Sequence, residues 1–332
     1  MNLPLSILDL VPIGSGYSSA ESYRMAVRLA QQAERLGYSR VWYAEHHGMP
    51  GVASTTPAVL IAHVAAQTSR IRLGSGGVML PNHSSLAVAE SFRMLEALYP
   101  DRIDLGIGRA PGTDPATARA LRGANSAYGA ERFPEQINEL IAFAEGIHPV
   151  KATPEDVAVP PIWLLGSSDY SAKLAARLGL GFSFAAHFSP NGASEPMRAY
   201  REGFQPSAYL SKPYAILTVS AVCAETDEQA DRLASSMDLQ WVKLQRGEHG
   251  PLPSPEEAMS YDYSPIERMH VQAYRALSFI GTPDKVLAGI AKLAEETKAD
   301  EVMISTMVHG HEERLRSFEL IAEALGLPRG RQ

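Results

Sequence analysis

Residues 104–115 read D-L-G-I-G-R-A-P-G-T-D-P. A glycine-rich turn leaving an apolar run is the mark of a doubly wound dinucleotide-binding sheet, so this stretch decides between two α/β architectures. Counted from Gly106, Gly108 and Gly112, the spacing is G-x-G-x-x-x-G and not G-x-G-x-x-G. Pro111, Gly112 and Pro115 stand where that turn needs a helix to begin. No acidic residue closes a clear second strand about 20 positions further on. The dinucleotide reading is rejected. What remains is a strand that ends in Arg109 among small residues. A guanidinium fork in that setting suits phosphate, and a surface salt bridge is the competing use.

Outward from this stretch, apolar β-branched runs alternate with helical stretches along the whole chain. The expected strands are 5–11, 40–45, 71–80, 102–108, 161–166, 181–186, 214–222 and 300–306. In the first expected helix Ser18 and Glu21 have capping-box spacing, Ala26, Val27, Ala30 and Ala33 recur at helical period, and Gly37 closes the helix. Ala172, Ala175 and Ala176 mark one side of another. Eight strand-helix units point to a (β/α)8 TIM barrel, with an open sheet plus a second domain as the alternative. No linker divides residues 1–332, which read as a single domain. Two segments exceed a barrel connection: 110–160, with a helix near 131–146, and 245–270, rich in Pro, Ser and Tyr. Both follow strand C-terminal ends, where barrel active sites lie, and are expected as lids. A disordered surface loop is the alternative for the second.

Composition narrows the class. The chain has 332 residues, 45% hydrophobic and 20% charged, with 26 Gly and 23 Pro, which is ordinary globular usage. A net charge of −7 argues against a nucleic-acid surface while allowing a local anion site. No apolar run approaches the roughly 18 residues of a membrane span. The N-terminal MNLPLSILDLVPIG lacks a basic start and contains Asp9 and Pro12, so it reads as a strand and not a signal peptide. The lone Cys223 lies in an apolar run and is expected to be a buried structural thiol. A cytoplasmic setting is expected.

Three further stretches carry chemistry. In W-Y-A-E-H-H-G-M-P-G (42–51), His46 and His47 are adjacent, and side chains alternate along a strand, so the two cannot share a face within it. Later strand ends offer Arg109, His187 and Thr306, which is no metal-ligand set, and no metal is expected. One imidazole at the mouth suits proton transfer or a hydrogen bond to a ligand, against solvent-facing polar residues as the alternative. In I-R-L-G-S-G-G-V-M-L-P (71–81), Gly74, Gly76 and Gly77 interrupt a strand, either for a flat ring or for a tight barrel corner. In L-L-G-S-S-D-Y-S-A-K-L-A-A-R-L-G (164–179), a strand runs through Gly166, Ser167 and Ser168 into a helix whose first turn adds Ser171. Open N–H groups and hydroxyls there make an anion site, unless Ser168 only caps the helix. A phosphate clamp, a glycine shelf and an imidazole at one mouth fit a phosphorylated planar cofactor, and FMN is the obvious one.

These stretches, with GTPDKV (281–286) and DEVMIST (300–306), closely resemble the bacterial luciferase-like flavin-dependent monooxygenases. The resemblance implies a TIM barrel using reduced FMN and O2. It implies that His46 assists proton transfer beside the flavin, that a non-prolyl cis peptide joins Gly76 and Gly77, and that Arg109, Ser168 and Ser171 hold the phosphate with backbone from Ser167. It also implies a homodimer packed partly through the helices after the second and third strands. Gly108 stands where the light-emitting subunit has a reactive cysteine, which counts against bioluminescence. Arg119 or Arg122 could add a second phosphate contact. No separate NAD(P)H site is evident, which favours a flavin reductase as the source of reduced FMN for a small organic substrate. An F420-dependent dehydrogenase and a non-catalytic flavin-binding protein are the alternatives.

Overall fold

A computed structural model describes residues 3–123, 130–189 and 192–328. Eight parallel strands form a closed ring: β1 (Leu5–Asp9), β2 (Arg40–Tyr43), β3 (Arg72–Ser75), β5 (Ile103–Gly108), β6 (Ile162–Gly166), β7 (Gly181–Ala185), β8 (Ala215–Cys223) and β10 (Glu301–Ser305). The last strand closes it, pairing Val302 with Leu5 of β1 and Leu217 of β8. Such strands are covered on both faces, which is why β1 and β5 are buried at every position, including the polar Ser6, Asp9 and Asp104 that interrupt their apolar runs. The TIM-barrel expectation holds, and all eight expected strands are present.

Helices α1 (Ser19–Leu36), α2 (Pro57–Ala65), α3 (Ser85–Leu98), α4 (Pro115–Arg122), α5 (Phe133–Ala144), α6 (Asp169–Leu178), α7 (Ser194–Gly203), α8 (Asp227–Gln245), α11 (Pro283–Thr297) and α12 (His311–Leu325) surround the strands. The Ser18–Glu21 capping box opens α1, and Gly37 ends it at φ 85°. Ala172, Ala175 and Ala176 are buried on α6. Cys223 is buried at the end of β8, and burial pushes its thiol up to about 12. Among the described residues, no helix is long and apolar enough to cross a membrane.

Two local expectations need correction, and one strand is added. The run 71–80 is not one strand: it breaks at Gly76–Gly77, and a two-residue strand β4 (Val78–Met79) resumes against Ile107 and Gly108. A short strand not anticipated, β9 (Ser278–Gly281), pairs with the end of β8 from Ser220 to Cys223. The segment 245–270 is half helical. It holds α9 (Pro255–Ser260) and α10 (Pro265–Arg275), each opened by a complete capping box, Ser254 with Glu257 and Ser264 with Glu267. Ser-Pro-x-Glu supplies the cap, the pre-set first φ and the reciprocal acceptor in four residues. The other insertion contains α4 and α5, and its residues 124–129 lie outside the described residues.

The barrel floor is a charged plug. Arg40 at the start of β2 binds Glu301 through Nε and Nη2 at 2.9 and 3.0 Å and Asp104 through Nη1 at 2.9 Å. Arg72 Nη2 and Trp42 Nε1 donate to Asp104 at 2.6 and 3.1 Å, and Tyr214 donates to Glu301 at 2.9 Å, while Ser6 also donates to Glu301. Two cations face two anions, so the buried cluster is neutral. Burial alone would raise the Asp104 carboxyl, but Arg40 and Arg72 hold it below its ordinary value. Removing one partner of a buried pair leaves a charge uncompensated, and that costs far more than breaking an exposed pair. Glu301→Gln is therefore expected to lower stability in urea unfolding by about 3 kcal/mol. Glu312→Gln, which breaks the exposed pair with Arg28, should cost under about 1 kcal/mol. Equal effects would refute the plug as a stability determinant.

Candidate active site

Past β2 the chain continues Ala44-Glu45-His46-His47. Glu45 is fully buried and its carboxylate collects donors from two loops. It accepts from Met79 N–H at 2.9 Å and Asn82 Nδ2 at 3.4 Å, and pairs with His83 Nε2 at 2.8 Å and His47 Nε2 at 3.0 Å. Burial opposes its charge, yet the contacts with His83, Met79 and His47 hold its pKa below the ordinary value. His47 is thereby turned away from the cavity and committed to Glu45.

His46 is held differently. Its Nδ1 lies 3.1 Å from the Gly112 carbonyl. A carbonyl only accepts, so Nδ1 carries the proton and Nε2 of the neutral ring keeps its lone pair. Burial is the largest influence on the ring and lowers its pKa, against the Gly112 contact, which raises it. The same carbonyl accepts the His47 backbone N–H at 3.3 Å. Gly112 sits at φ +66°, and a Cβ there would lie 2.6 Å from the Glu45 carbonyl oxygen, so this close approach needs glycine.

Arg109 follows β5 and lies over the Tyr170 ring, 4.3 Å from its centroid; among the described residues it has no carboxylate partner. The surface salt bridge weighed for it is not formed. Ser168 occupies the N-cap position of α6, yet its side chain makes no capping hydrogen bond. The helix start is left with open N–H groups and a free hydroxyl. Buried Ser171 sits one turn in, and a Cβ on Gly166 would come within 2.6 Å of its Cβ and Oγ. The missing side chain lets strand and helix close on each other.

The glycine run proves to be a packing requirement. A Cβ at Gly74 would meet Asp104 and Trp42 at 2.7 Å, at Gly76 Leu8 at 2.6 Å, and at Gly77 the Gly106 carbonyl at 2.8 Å. The tight-corner reading applies to all three, and the Gly76–Gly77 peptide is cis. Gly76 also faces the cavity, whereas Gly77 does not line it. Of the two candidate arginines, Arg122 donates to Asn82 Oδ1 at 3.0 Å and Arg119 is exposed on α4; neither lines the cavity. Tyr261 and Tyr263 pack edge to face with centroids 4.8 Å apart, outside it.

A cavity of about 660 Å³ opens at the C-terminal ends of the strands and brings together His46, Gly76, Arg109, Gly166, Ser167, Ser168 and Ser171. Part of its wall carried no site assignment from the sequence. His187, just after β7, lines the cavity with Nδ1 3.4 Å from the Thr218 carbonyl, and burial pushes its pKa down to about 4. Helix α8 contributes Met237, Gln240, Trp241 and Leu244, and α10 contributes Tyr274. Glu45 was also missed, although an acid beside a histidine pair, with Asn82-His83 further on, was the available signal. Among the described residues, no group of three or more His, Cys, Asp or Glu is placed to hold a metal ion.

Comparison with known proteins agrees with this fold. A family model described as luciferase-like monooxygenase matches residues 3–301. A luciferase-like monooxygenase of Escherichia coli K12 is 46% identical over 321 residues, 96% of each chain. The N-acetyl-S-alkylcysteine monooxygenase of Bacillus subtilis is 35% identical, covering 97% of this chain and 98% of its own. The crystal structure of apo-MsnO8 superposes with a TM-score of 0.92 at 37% identity, over 99% of this chain and 100% of the other. At lower identity the fold recurs in two ligand complexes, each at a TM-score of 0.70. One is the oxygenating constituent of 3,6-diketocamphane monooxygenase of Pseudomonas putida with FMN, at 17% identity. The other is an F420-dependent secondary alcohol dehydrogenase with an F420-acetone adduct, at 14%. With its family match across most of the barrel and relatives aligned end to end, the chain belongs to the luciferase-like monooxygenase family.

Proposed function

We infer that this protein is an FMN-dependent monooxygenase that uses reduced FMN and O2 to oxygenate a small organic molecule, the reduced flavin coming from a separate reductase. One observation carries the reading. Arg109, with no carboxylate partner among the described residues, and a helix start with an unused N-cap serine share one cavity with an imidazole whose Nε2 is free. Arg109, Ser168 and Ser171 would hold the phosphate, with backbone N–H groups at the α6 N-terminus, where the helix dipole also favours an anion. Gly76 and Gly108 present no side chain to the cavity and leave room for a flat ring. When bound, reduced FMN would supply the electrons for activating O2. His46 would hold or move a proton at Nε2, kept neutral by burial and aimed by the Gly112 carbonyl. The loops at 109–112 and 249–252 would exclude water.

The E. coli and B. subtilis relatives support monooxygenation, and the fold neighbour with FMN supports the flavin. An F420-dependent dehydrogenase is the competing enzyme. Arg109 is the only Lys or Arg among the described residues lining the cavity, and the longer anionic tail of F420 calls for more positive charge. A non-catalytic flavin carrier would not need a histidine held with Nε2 open. A homodimer is supported by Val59 on α2 and Met94 and Leu98 on α3, large apolar side chains each more than half exposed on the helices after β2 and β3.

Arg109→Ala is expected to weaken FMN binding, read by flavin fluorescence, by about tenfold to a hundredfold, the worth of a charge-assisted hydrogen bond. Arg109→Lys should fall between, because it keeps the charge and loses the fork. Unchanged affinity in both would remove the phosphate assignment. The pH dependence has a definite sign. Since burial lowers the His46 pKa beneath 6.5, the ring stays a neutral base through pH 7 and is protonated only in more acid solution. The rate of reoxidation of bound reduced FMN by O2 should therefore be flat near neutrality, with an acid inflection below 6.5 that disappears in His46→Ala. An inflection above 7, or one that survives in the variant, would rule His46 out.

A further inference from the structure

The insertion after β8 places a different surface on the same cavity. Trp241 of α8 stacks on Tyr274 of α10, centroids 4.8 Å apart and planes 11° apart, and both line the cavity. Met237 and Leu244 lie beside Trp241 on α8, so this wall is aromatic, aliphatic and soft. One polar group interrupts it. Gln240 Oε1 is buried with no hydrogen-bond partner among the described residues, and no partner is found there for its Nε2. The buried Oε1 is an acceptor that a carbonyl ligand does not satisfy, so what this side chain offers the cavity is the uncommitted Nε2 donor.

The charge pattern is as informative. Among the described residues lining the cavity there is no Asp, Glu or Lys, and the single Arg is Arg109. On the flavin reading, on which this inference rests, Arg109 is taken by phosphate, and no fixed charge is left to pair with a substrate. Burying an unpaired charge against such a wall is strongly unfavourable.

We propose that the α8–α10 wall is the substrate subsite and that it takes a neutral, flat, largely apolar molecule bearing a carbonyl-type oxygen, which accepts a hydrogen bond from Gln240 Nε2. Trp241 and Tyr274 supply the aromatic surface, and Gln240 sets the orientation. Charged substrates are rejected because nothing in this part of the cavity pays for their desolvation.

Three probes of one shape test this by calorimetric titration of the FMN-loaded protein: 1-indanone, indane-1-carboxylate and 1-aminoindane. The ketone should bind at least tenfold tighter than the anion or the cation, an advantage of about 1.4 kcal/mol or more. Trp241→Leu and Gln240→Leu should each weaken the ketone several-fold, whereas Trp241→Phe should largely keep it. Gln240→Glu should bring the amine above the ketone, a gain that a misfolded variant could not show. Tighter binding of the carboxylate, or ketone affinity indifferent to both positions, overturns the proposal. Repeating the titration without flavin separates the two readings. Ketone binding that still depends on Trp241 and Gln240 in a protein that fails to bind FMN would sustain the subsite and sink the flavin assignment. FMN binding without that dependence would do the reverse.

Discussion

The pairing of Arg40 with Glu301 and Asp104 is the constraint on which the barrel depends. Four charged side chains from β2, β3, β5 and β10 meet within the ring near the N-terminal ends of their strands, and their charges cancel. Trp42 and Trp163 pack edge to face beside them, centroids 5.6 Å apart, with the Arg40 guanidinium 5.0 Å from the centroid of Trp163. This layer fills one end of the barrel with groups that specify one another's positions, so the strands' other ends can diverge into loops. A second buried carboxylate repeats the device at the mouth. Glu45 draws together the turn after β2 and the loop after β4, and through Asn82 the loop after β5, whose Pro111 carbonyl accepts from Asn82 Nδ2 at 2.9 Å. His46 is aimed by what surrounds it, above all the Gly112 carbonyl. Precision at the site comes from supports of this kind more than from the imidazole itself.

How much could be read from the chain follows from where each signal lies. The eight barrel strands were legible because strands buried on both faces are mostly apolar and β-branched, with few polar breaks. Helix α1 was legible because its cap and its stop are local. Arg109 and the serines at the α6 start were legible as candidates for the same reason, since each sits at a strand end, and the fold brings them to one cavity. The helices of the second insertion were written as plainly, in Ser254-Pro255-x-Glu257 and Ser264-Pro265-x-Glu267, but proline and tyrosine content concealed them. Strand β9 is four residues long and exists only because β8 extends past the barrel to receive it.

What the chain could not reveal was pairing at a distance. Glu45 becomes meaningful once His83 is known to lie against it. Trp241 and Tyr274 are ordinary positions on two amphipathic helices until packing stacks them at one cavity wall. His187 was noted as a strand-end residue, and only the fold shows it in the same cavity as His46. Gly74, Gly76 and Gly77 carry a related lesson. Their spacing left a ligand shelf and a tight corner open, and packing against Trp42, Leu8 and Gly106 explains all three, with cavity exposure added at Gly76 alone.

The central claim is that the Arg109 and α6 end of the cavity recognises the phosphate of a flavin. Anaerobic titration of the protein with reduced FMN and with reduced riboflavin, which differ only in that phosphate, tests it most directly. FMN is expected to bind at least tenfold tighter, with the difference narrowing as salt rises. Equal affinity for the two, or tighter binding of riboflavin, would contradict it.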